Sequence, residues 1–510
     1  MRQLPVGFFW LFLLLFAHSV SLPGRAQSVT GPAPVNFGDV NVCPGKQSSP
    51  KPCTRMTTLT FDVTAATTFG ATQVVTQGLP DLDFTLSKTT CVGTLQAGAS
   101  CTVKARFAPT TAGMRVGGII LTDSSGNPLA TALLYGIGQA PMASFNPAPQ
   151  ITLPITGIDS ASHANDLAID AAGNAYVVVD NDIVKVDPLT GVRTTIARAP
   201  TARFLALDGA GDIFVSCPGD GLCGVTKIAA ISRIQTTVGT GLRSDEGVAL
   251  DGMGNLFVAD QSQKYPRLLK ISLITGSEVA LIGGDSFPGQ PVCGAPEGVA
   301  VDANDNAFIA CFAGGPLFEY TDQGNVVPFN QFLLPYAVSV DAAGDLFCNC
   351  YIYPGVTEVA AGTGTETQVG TSGVDGPIAL DGKGNLFETG YNELLEIESS
   401  EPAAFNFGTV AVGSTSAAQS ITIQNVGNTT LNAVSPGLAI SAGFKQVPGS
   451  GAPADCTASF SLAPGTSCNV SIVFAPNATG TIAGKATFTD TALNTHPSAT
   501  QIMQLSGVGQ

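Results

Sequence analysis

Six aspartates occupy one repeated position: Asp170, Asp208, Asp251, Asp302, Asp341 and Asp381. Each follows an apolar segment and is followed by two residues, then Gly and Asn or Asp, then a second apolar segment, as in Leu250-Asp251-Gly252-Met253-Gly254-Asn255-Leu256-Phe257. The chemistry of such a unit is that of a turn, in which the carboxylate accepts backbone N–H groups while Gly takes a positive φ. The fourth copy has Asp305 in the Gly place, and Asp is among the few residues that tolerate that conformation. A calcium loop is the competing use of Asp-x-x-Gly-Asn, but six near-identical copies are better explained by six identical hairpins. Five residues ahead of each turn Asp stand Asn165, Arg203, Glu246, Glu297, Tyr336 and Gly376, with Asp166, Asp245 and Asp375 beside them. If the strands bring these positions to one rim, their side chains form a polar cup that can orient a ligand, the reading to be weighed against ordinary polarity at a solvent-filled mouth. Asn165, Glu246 and Glu297 are also the candidate ligands of a divalent cation such as calcium.

The elements that must position these residues follow from the spacing. Successive turn aspartates are 38, 43, 51, 39 and 40 residues apart, the length of one four-stranded propeller blade or near it. Six copies predict six blades. The last copy supplies strands at 377–381, 385–389 and about 394–397 and then leaves the repeat, one strand short. Ile151-Thr152-Leu153-Pro154-Ile155, just ahead of the first copy, is the expected donor of the missing outer strand, where Pro154 costs no ladder hydrogen bond.

The segment from 150 to 398 resembles an NHL-type six-bladed propeller, most clearly at 246–258 and 297–309. The resemblance implies a binding module for protein or other ligands. Related six-bladed folds include lactonases and lyases, so it also leaves room for a calcium-dependent hydrolase at the channel mouth.

A second repeat flanks the first. Val35-Asn36-Phe37-Gly38-Asp39-Val40 matches Phe405-Asn406-Phe407-Gly408-Thr409-Val410, and Arg106-Phe107-Ala108-Pro109 matches Val473-Phe474-Ala475-Pro476. Alternating segments such as Gln419–Gln424, followed by turn residues at 425–428, predict half-buried antiparallel strands in a sandwich. With Phe-Gly-x-Val-x-Val-Gly at 407–413 and Pro-Gly-x-Ser-Cys at 464–468, most of 400–510 resembles the choice-of-anchor D or Hydin-like immunoglobulin-type domain of secreted bacterial proteins, and 30–140 resembles it more loosely. That resemblance implies spacer or adhesion modules with no catalytic residues.

Residues 1–26 have the form of a secretory signal: Arg2, the apolar run Phe8–Ala17 and small residues before an expected cleavage after Ala26. No later stretch is apolar enough to span a bilayer. All 12 cysteines lie beyond that point, as an oxidising compartment would favour. Cys43 with Cys53, Cys91 with Cys101, Cys217 with Cys223, Cys293 with Cys311 and Cys456 with Cys468 are the candidate pairs, whereas Cys348 and Cys350, two apart on a strand, are expected not to bond each other. The histidines number only three, His163 and His496 in the mature part, which argues against a zinc centre. A net charge of −16 argues against nucleic-acid binding through a general positive field.

The expectation is therefore an all-β secreted or cell-surface protein. It comprises a signal peptide (1–26), an Ig-like sandwich (27–141), a six-bladed propeller (150–398) and a second Ig-like sandwich (399–510). It would bind a protein or carbohydrate surface through Asn165, Arg203, Glu246, Glu297 and Tyr336, without catalytic residues or a cofactor.

Overall fold

In the computed structural model of the chain, the six aspartate turns are hairpins. The structure describes residues 28–510 except 44–51, 155–163, 180, 189, 201, 217–223, 240, 243–244, 262–265, 284–292, 313–315, 330–333, 351–354, 371–375, 390–392, 450 and 495–499. The expected leader, His163, Asp375, Cys217, Cys223 and His496 lie outside the described residues. Asp302 Oδ1 accepts the N–H groups of Asn304 at 2.8 Å and Asn306 at 2.9 Å. The same two bonds recur at the other five turn aspartates. Asp305 holds φ +63°, in the left-handed region that its glycine counterparts occupy.

Each hairpin opens a four-stranded antiparallel sheet. The first five blades run from Ala164–Ile169 to Arg193–Arg198, Leu205–Leu207 to Gln235–Val238, Asp245–Leu250 to Glu278–Gly283, Pro296–Val301 to Val326–Phe329, and Pro335–Val340 to Glu366–Val369. The sixth takes Ile378–Leu380, Leu386–Thr389 and Glu393–Ile397 from its own repeat and Gln150–Pro154 from upstream, with Gln150 opposite Ile397 and Pro154 opposite Glu393. The six innermost strands touch in cyclic order, the last against the first, so the ring is closed. Apolar clusters lie between neighbouring blades, for example Phe257, Ile282 and Ile309 between blades three and four. Among the described residues, the only sheet edges left on the circumference are those of the outermost strand of each blade.

The flanking repeats form two-sheet sandwiches. Their shared Asn-Phe-Gly motif has a local cause. Asn36 Oδ1 accepts the N–H of Gly38 and Asn406 Oδ1 that of Gly408, both glycines at φ just above +60°. The register against the parallel partner strand skips at this point in both copies, which turns Phe37 and Phe407 inward. Phe37 then packs with Phe84 and Phe107, and Phe407 with Phe444 and Phe474.

One boundary differs from expectation. The strand Ala143–Asn146, in the connector ahead of the ring, joins the C-terminal sandwich by pairing with Gln419–Asn425, and its Phe145 enters that core. The sandwich is therefore completed by residues from both sides of the propeller. Entry and exit segments are bonded to each other: Phe145 N–H to Ser399 O, Glu398 N–H to Pro149 O and Ala403 N–H to Pro147 O.

Disulfides join Cys43–Cys53, Cys91–Cys101, Cys293–Cys311 and Cys456–Cys468. Cys348 and Cys350 are bonded as well, contrary to expectation. Their Cα atoms stand 5.7 Å apart, within reach of a disulfide.

The N-terminal sandwich sits on the turn end of the ring. A Cβ built on Gly209 in the blade-two turn would lie 2.2 Å from Gly117 O, so only a glycine permits this approach. Between the sandwich and the hairpins lies a cavity of about 280 Å³ lined by Met114, Arg115 and Met142 on one side and Asp170, Asp302 and Asp341 on the other. The innermost strands begin at the opposite mouth.

Candidate functional site at the channel mouth

Each innermost strand starts at the mouth and runs down the channel, so the residue five before the turn Asp is held at the rim. Four of the nominated side chains meet there, supplied by four different blades. Arg203 (blade two) places Nη1 at 2.7 Å from Glu246 Oε2 (blade three) and Nη2 at 3.7 Å from Glu297 Oε2 (blade four). Its guanidinium also stands 6.0 Å from the ring centre of Tyr336 (blade five) and 5.4 Å from that of Phe204. Phe204 and Tyr336 are themselves 6.2 Å apart, so the cation is flanked by two aromatic faces.

Asn165 is not part of this group. Its amide donates to Ala202 O at 3.4 Å and links blade one to the start of blade two. Gly376 takes part only through its carbonyl, which accepts from Asn349 Nδ2 at 2.7 Å, and the same amide reaches Glu388 Oε1 at 3.1 Å. Of the neighbours named from sequence, Asp166 is buried below the rim and accepts the N–H of Leu205 at 2.7 Å.

The electrostatics are dominated by burial. Glu246 and Glu297 are both buried, at 2% and 6% exposure, which requires a counter-charge. Burial pushes the Glu297 carboxyl above its ordinary range against the pull of Arg203 and Gln261. Burial likewise raises Tyr336, and it drives Asp166 to about 7 despite two backbone N–H bonds. Glu297 Oε1 accepts from Gln261 at 3.4 Å, whereas Oε2 is buried and accepts no hydrogen bond. Below the rim the channel continues as a cavity of about 240 Å³ walled by Leu167, Phe204, Val248, Val299 and Val338.

A divalent cation does not fit this arrangement. The two carboxylates face a guanidinium that occupies the space between them, and Asn165 is turned away to a backbone carbonyl. An ion there would have to displace Arg203, and no step through a metal follows from these residues.

Sequence reasoning missed four residues of this region. Gln261 stands at the end of the second strand of blade three, a position legible from the repeat because that end reaches the same rim. Phe204 is adjacent to Arg203, and nothing in the repeat singles it out. Asn349 and Glu388 form a buried polar pair between blades five and six that nothing in the motif announces.

Comparison with known proteins covers the C-terminal part best: residues 395–510 match the family model of Cep192 domain 4. No curated protein matches the chain. Among solved structures, a streptogramin B lyase is 13% identical with a TM-score of 0.38, covering 50% of this chain and 98% of its own. A gluconolactonase from Xanthomonas campestris is 14% identical, TM-score 0.42, covering 51% and 94%. An auxiliary nutrient binding protein from Bacteroides ovatus is 11% identical, TM-score 0.38, covering 72% and 97%. No residue role follows from likenesses of this degree. Among the described residues no helix is long and apolar enough to cross a membrane. The chain is an all-β protein with a propeller at its centre.

Proposed function

We propose that this chain is a secreted or cell-surface binding protein that recognises its ligand at the channel mouth, with an NHL-type ring as the recognition module and Ig-like sandwiches as spacer or adhesion modules. The observation that carries the reading is the buried Glu297 Oε2, an acceptor with no hydrogen-bond donor beside an Arg203 already shared between two carboxylates. A buried polar atom left unsatisfied costs about 1–3 kcal/mol, so a ligand that brings a donor to it gains that much. The surrounding chemistry suits a hydroxyl-rich group: paired carboxylates, a guanidinium, an amide and the faces of Tyr336 and Phe204. A carbohydrate on a surface fits this set, and a protein ligand would have to present a hydroxyl or amide side chain. The leader and the short-range disulfides support export to an oxidising compartment.

The test is a glycan array probed with the purified mature chain, followed by calorimetric titration of any captured glycan. Binding that falls at least about tenfold in Glu297→Gln and is lost in Tyr336→Ala supports the reading. Capture that survives both substitutions places recognition elsewhere. Stoichiometric metal in the purified protein, with lactone or ester turnover that Glu297→Gln abolishes, would instead favour the calcium-dependent hydrolase.

A further inference from the structure

The third strand of every blade sets one residue opposite the aromatic of the second strand. In blades one to three this residue is Lys185, Lys227 or Lys270; in blades four to six it is Glu319, Glu358 or Glu396. The lysines lie 5.0–5.4 Å from the ring centres of Tyr176, Phe214 and Phe257 and reach back to a turn carboxylate. Blade two shows what this accomplishes. Its turn carries Asp212 where most copies have Asn, and Lys227 Nζ lies 2.6 Å from Asp212 Oδ2, so the extra acid is neutralised within the blade. Blade five has the same replacement at Asp345 but Glu358 in the lysine position. Asp341, Asp345 and Glu358 therefore gather with no cation from their own blade. Asp345 and Glu358 are buried, and Asp341 Oδ2 finds no hydrogen-bond partner.

The C-terminal sandwich covers this cluster. Gln424, on its strand Gln419–Asn425, donates through Nε2 to Asp345 Oδ2 at 2.8 Å and to Glu358 Oε1 at 2.5 Å. The turn at Pro464-Gly465 packs on Gly362, and the N–H of Ala361 donates to Asp345 Oδ1. Asp345 and Glu358 meet under Gln424 with Asp341 beside Asp345, and Asp341 also lines the cavity toward the N-terminal sandwich together with Asp170, Asp302, Asp381 and Arg115, whose guanidinium is paired with Asp83. Among the described residues, no lysine, arginine or histidine of either domain forms a salt bridge with Asp341, Asp345 or Glu358. One amide can satisfy two carboxyls by hydrogen bonding but cannot neutralise their charge.

We propose that this contact is a proton-operated latch, in which protonated Asp345 and Glu358, with Asp341 behind Asp345, clamp the C-terminal sandwich to blade five and their ionisation releases it. Burial and mutual repulsion move the three carboxyls in the direction this requires: Glu358 up to about 8, Asp345 up to about 6 and Asp341 well above its ordinary range. The docked state thus holds more protons than the undocked one. Docking is at full strength below the ordinary carboxylate range and weakens as pH rises through the raised values. The strand Ala143–Asn146 and the connector at 398–404 keep the released sandwich tethered to the ring.

The test is hydrogen exchange of the full chain from about pH 5 to about pH 9, corrected for intrinsic rates, read on peptides covering 356–362 and 419–427. In the unsubstituted protein the corrected exchange of both peptides should rise at least about tenfold across that range, the equivalent of one proton over one pH unit. Glu358→Gln, which keeps the side-chain shape without the charge, should flatten the profile. Asp345→Asn, which restores the residue of the other turns, should lower its midpoint by about a unit. Glu319→Gln, the equivalent position in blade four, should leave the response intact. A flat profile in the unsubstituted protein, or the same rise in both Glu358→Gln and Asp345→Asn, overturns the latch.

Discussion

The guanidinium of Arg203 stands 6.0 Å from the ring centre of Tyr336, although the two residues belong to blades two and five. One side chain thus spans the mouth of the channel and holds two buried carboxylates on the way. Removing it takes a cation from both Glu246 and Glu297. We expect Arg203→Ala to lower the stability of the ring by about 2 kcal/mol, less than the 3–5 kcal/mol of a fully buried pair because the arginine is one-third exposed. Arg203→Lys should recover under half of this, since one ammonium cannot serve both acids. Calorimetric unfolding of the two variants at neutral pH checks both values.

Asp305 occupies a left-handed backbone position that the other five turns give to glycine. Its carboxyl is pushed up to about 6 by burial and by Asp251. Asp305→Gly should stabilise the ring by about 0.5–1 kcal/mol from backbone conformation alone. The charge adds a pH dependence whose sign is fixed. A raised carboxyl weakens the fold as pH climbs from the ordinary carboxylate range to about 6, so the gain on substitution should be larger at pH 8 than at pH 4. Melting temperatures at the two pH values decide it.

Leu153 lies on the borrowed strand and is buried between the sixth and first blades. Leu153→Asp puts an unpaired charge at the seam of the ring, with an expected loss above about 3 kcal/mol. Limited proteolysis should then cut first in the strand Glu393–Ile397, whose outer edge is uncovered. An unchanged digestion pattern would mean the seam is held by something other than this strand.

Cys348 and Cys350 form a bond inside one strand end, with a single residue between them. Alkylation without reduction should leave both unlabelled, and the peptide containing them should be about 2 Da lighter than its reduced form. Cross-links from either cysteine to a third would contradict the pairing.

The ring was legible in the sequence because its turns have narrow requirements. Asp, Gly and Asn are each needed for a specific hydrogen bond or dihedral, so six hairpins announce themselves, and counting strands exposes the missing one. The sandwiches were legible for the same reason, through Asn36 and Asn406 bonding the glycine two residues on. The strand Ala143–Asn146 was not legible. Four residues carry no periodicity, and their partner Gln419–Asn425 lies on the far side of the ring. The rim positions could be named from the repeat, but not that Arg203 would occupy the centre and Asn165 turn aside, which depends on side-chain length and the distance across the channel. Cys348–Cys350 was misjudged because two cysteines on one face of a strand were taken to be out of reach of each other, whereas their Cα atoms stand 5.7 Å apart. The alternation of Lys and Glu on the third strands was present in the repeat and became meaningful only once Gln424 was seen to lie against Glu358.

The bonds that tie Phe145 to Ser399 and Ala403 to Pro147 bring the two necks of the propeller side by side. The ring is in effect a cassette inserted into a host fold just after its first ribbon. Exchange of one cassette for another, with a different number of wedges or a different cup, would leave the host intact so long as the necks keep their spacing. Conversely, the segment after residue 399 expressed alone would lack its outermost ribbon and present Ile421 and Ile423 beside a bare edge, a template for self-association.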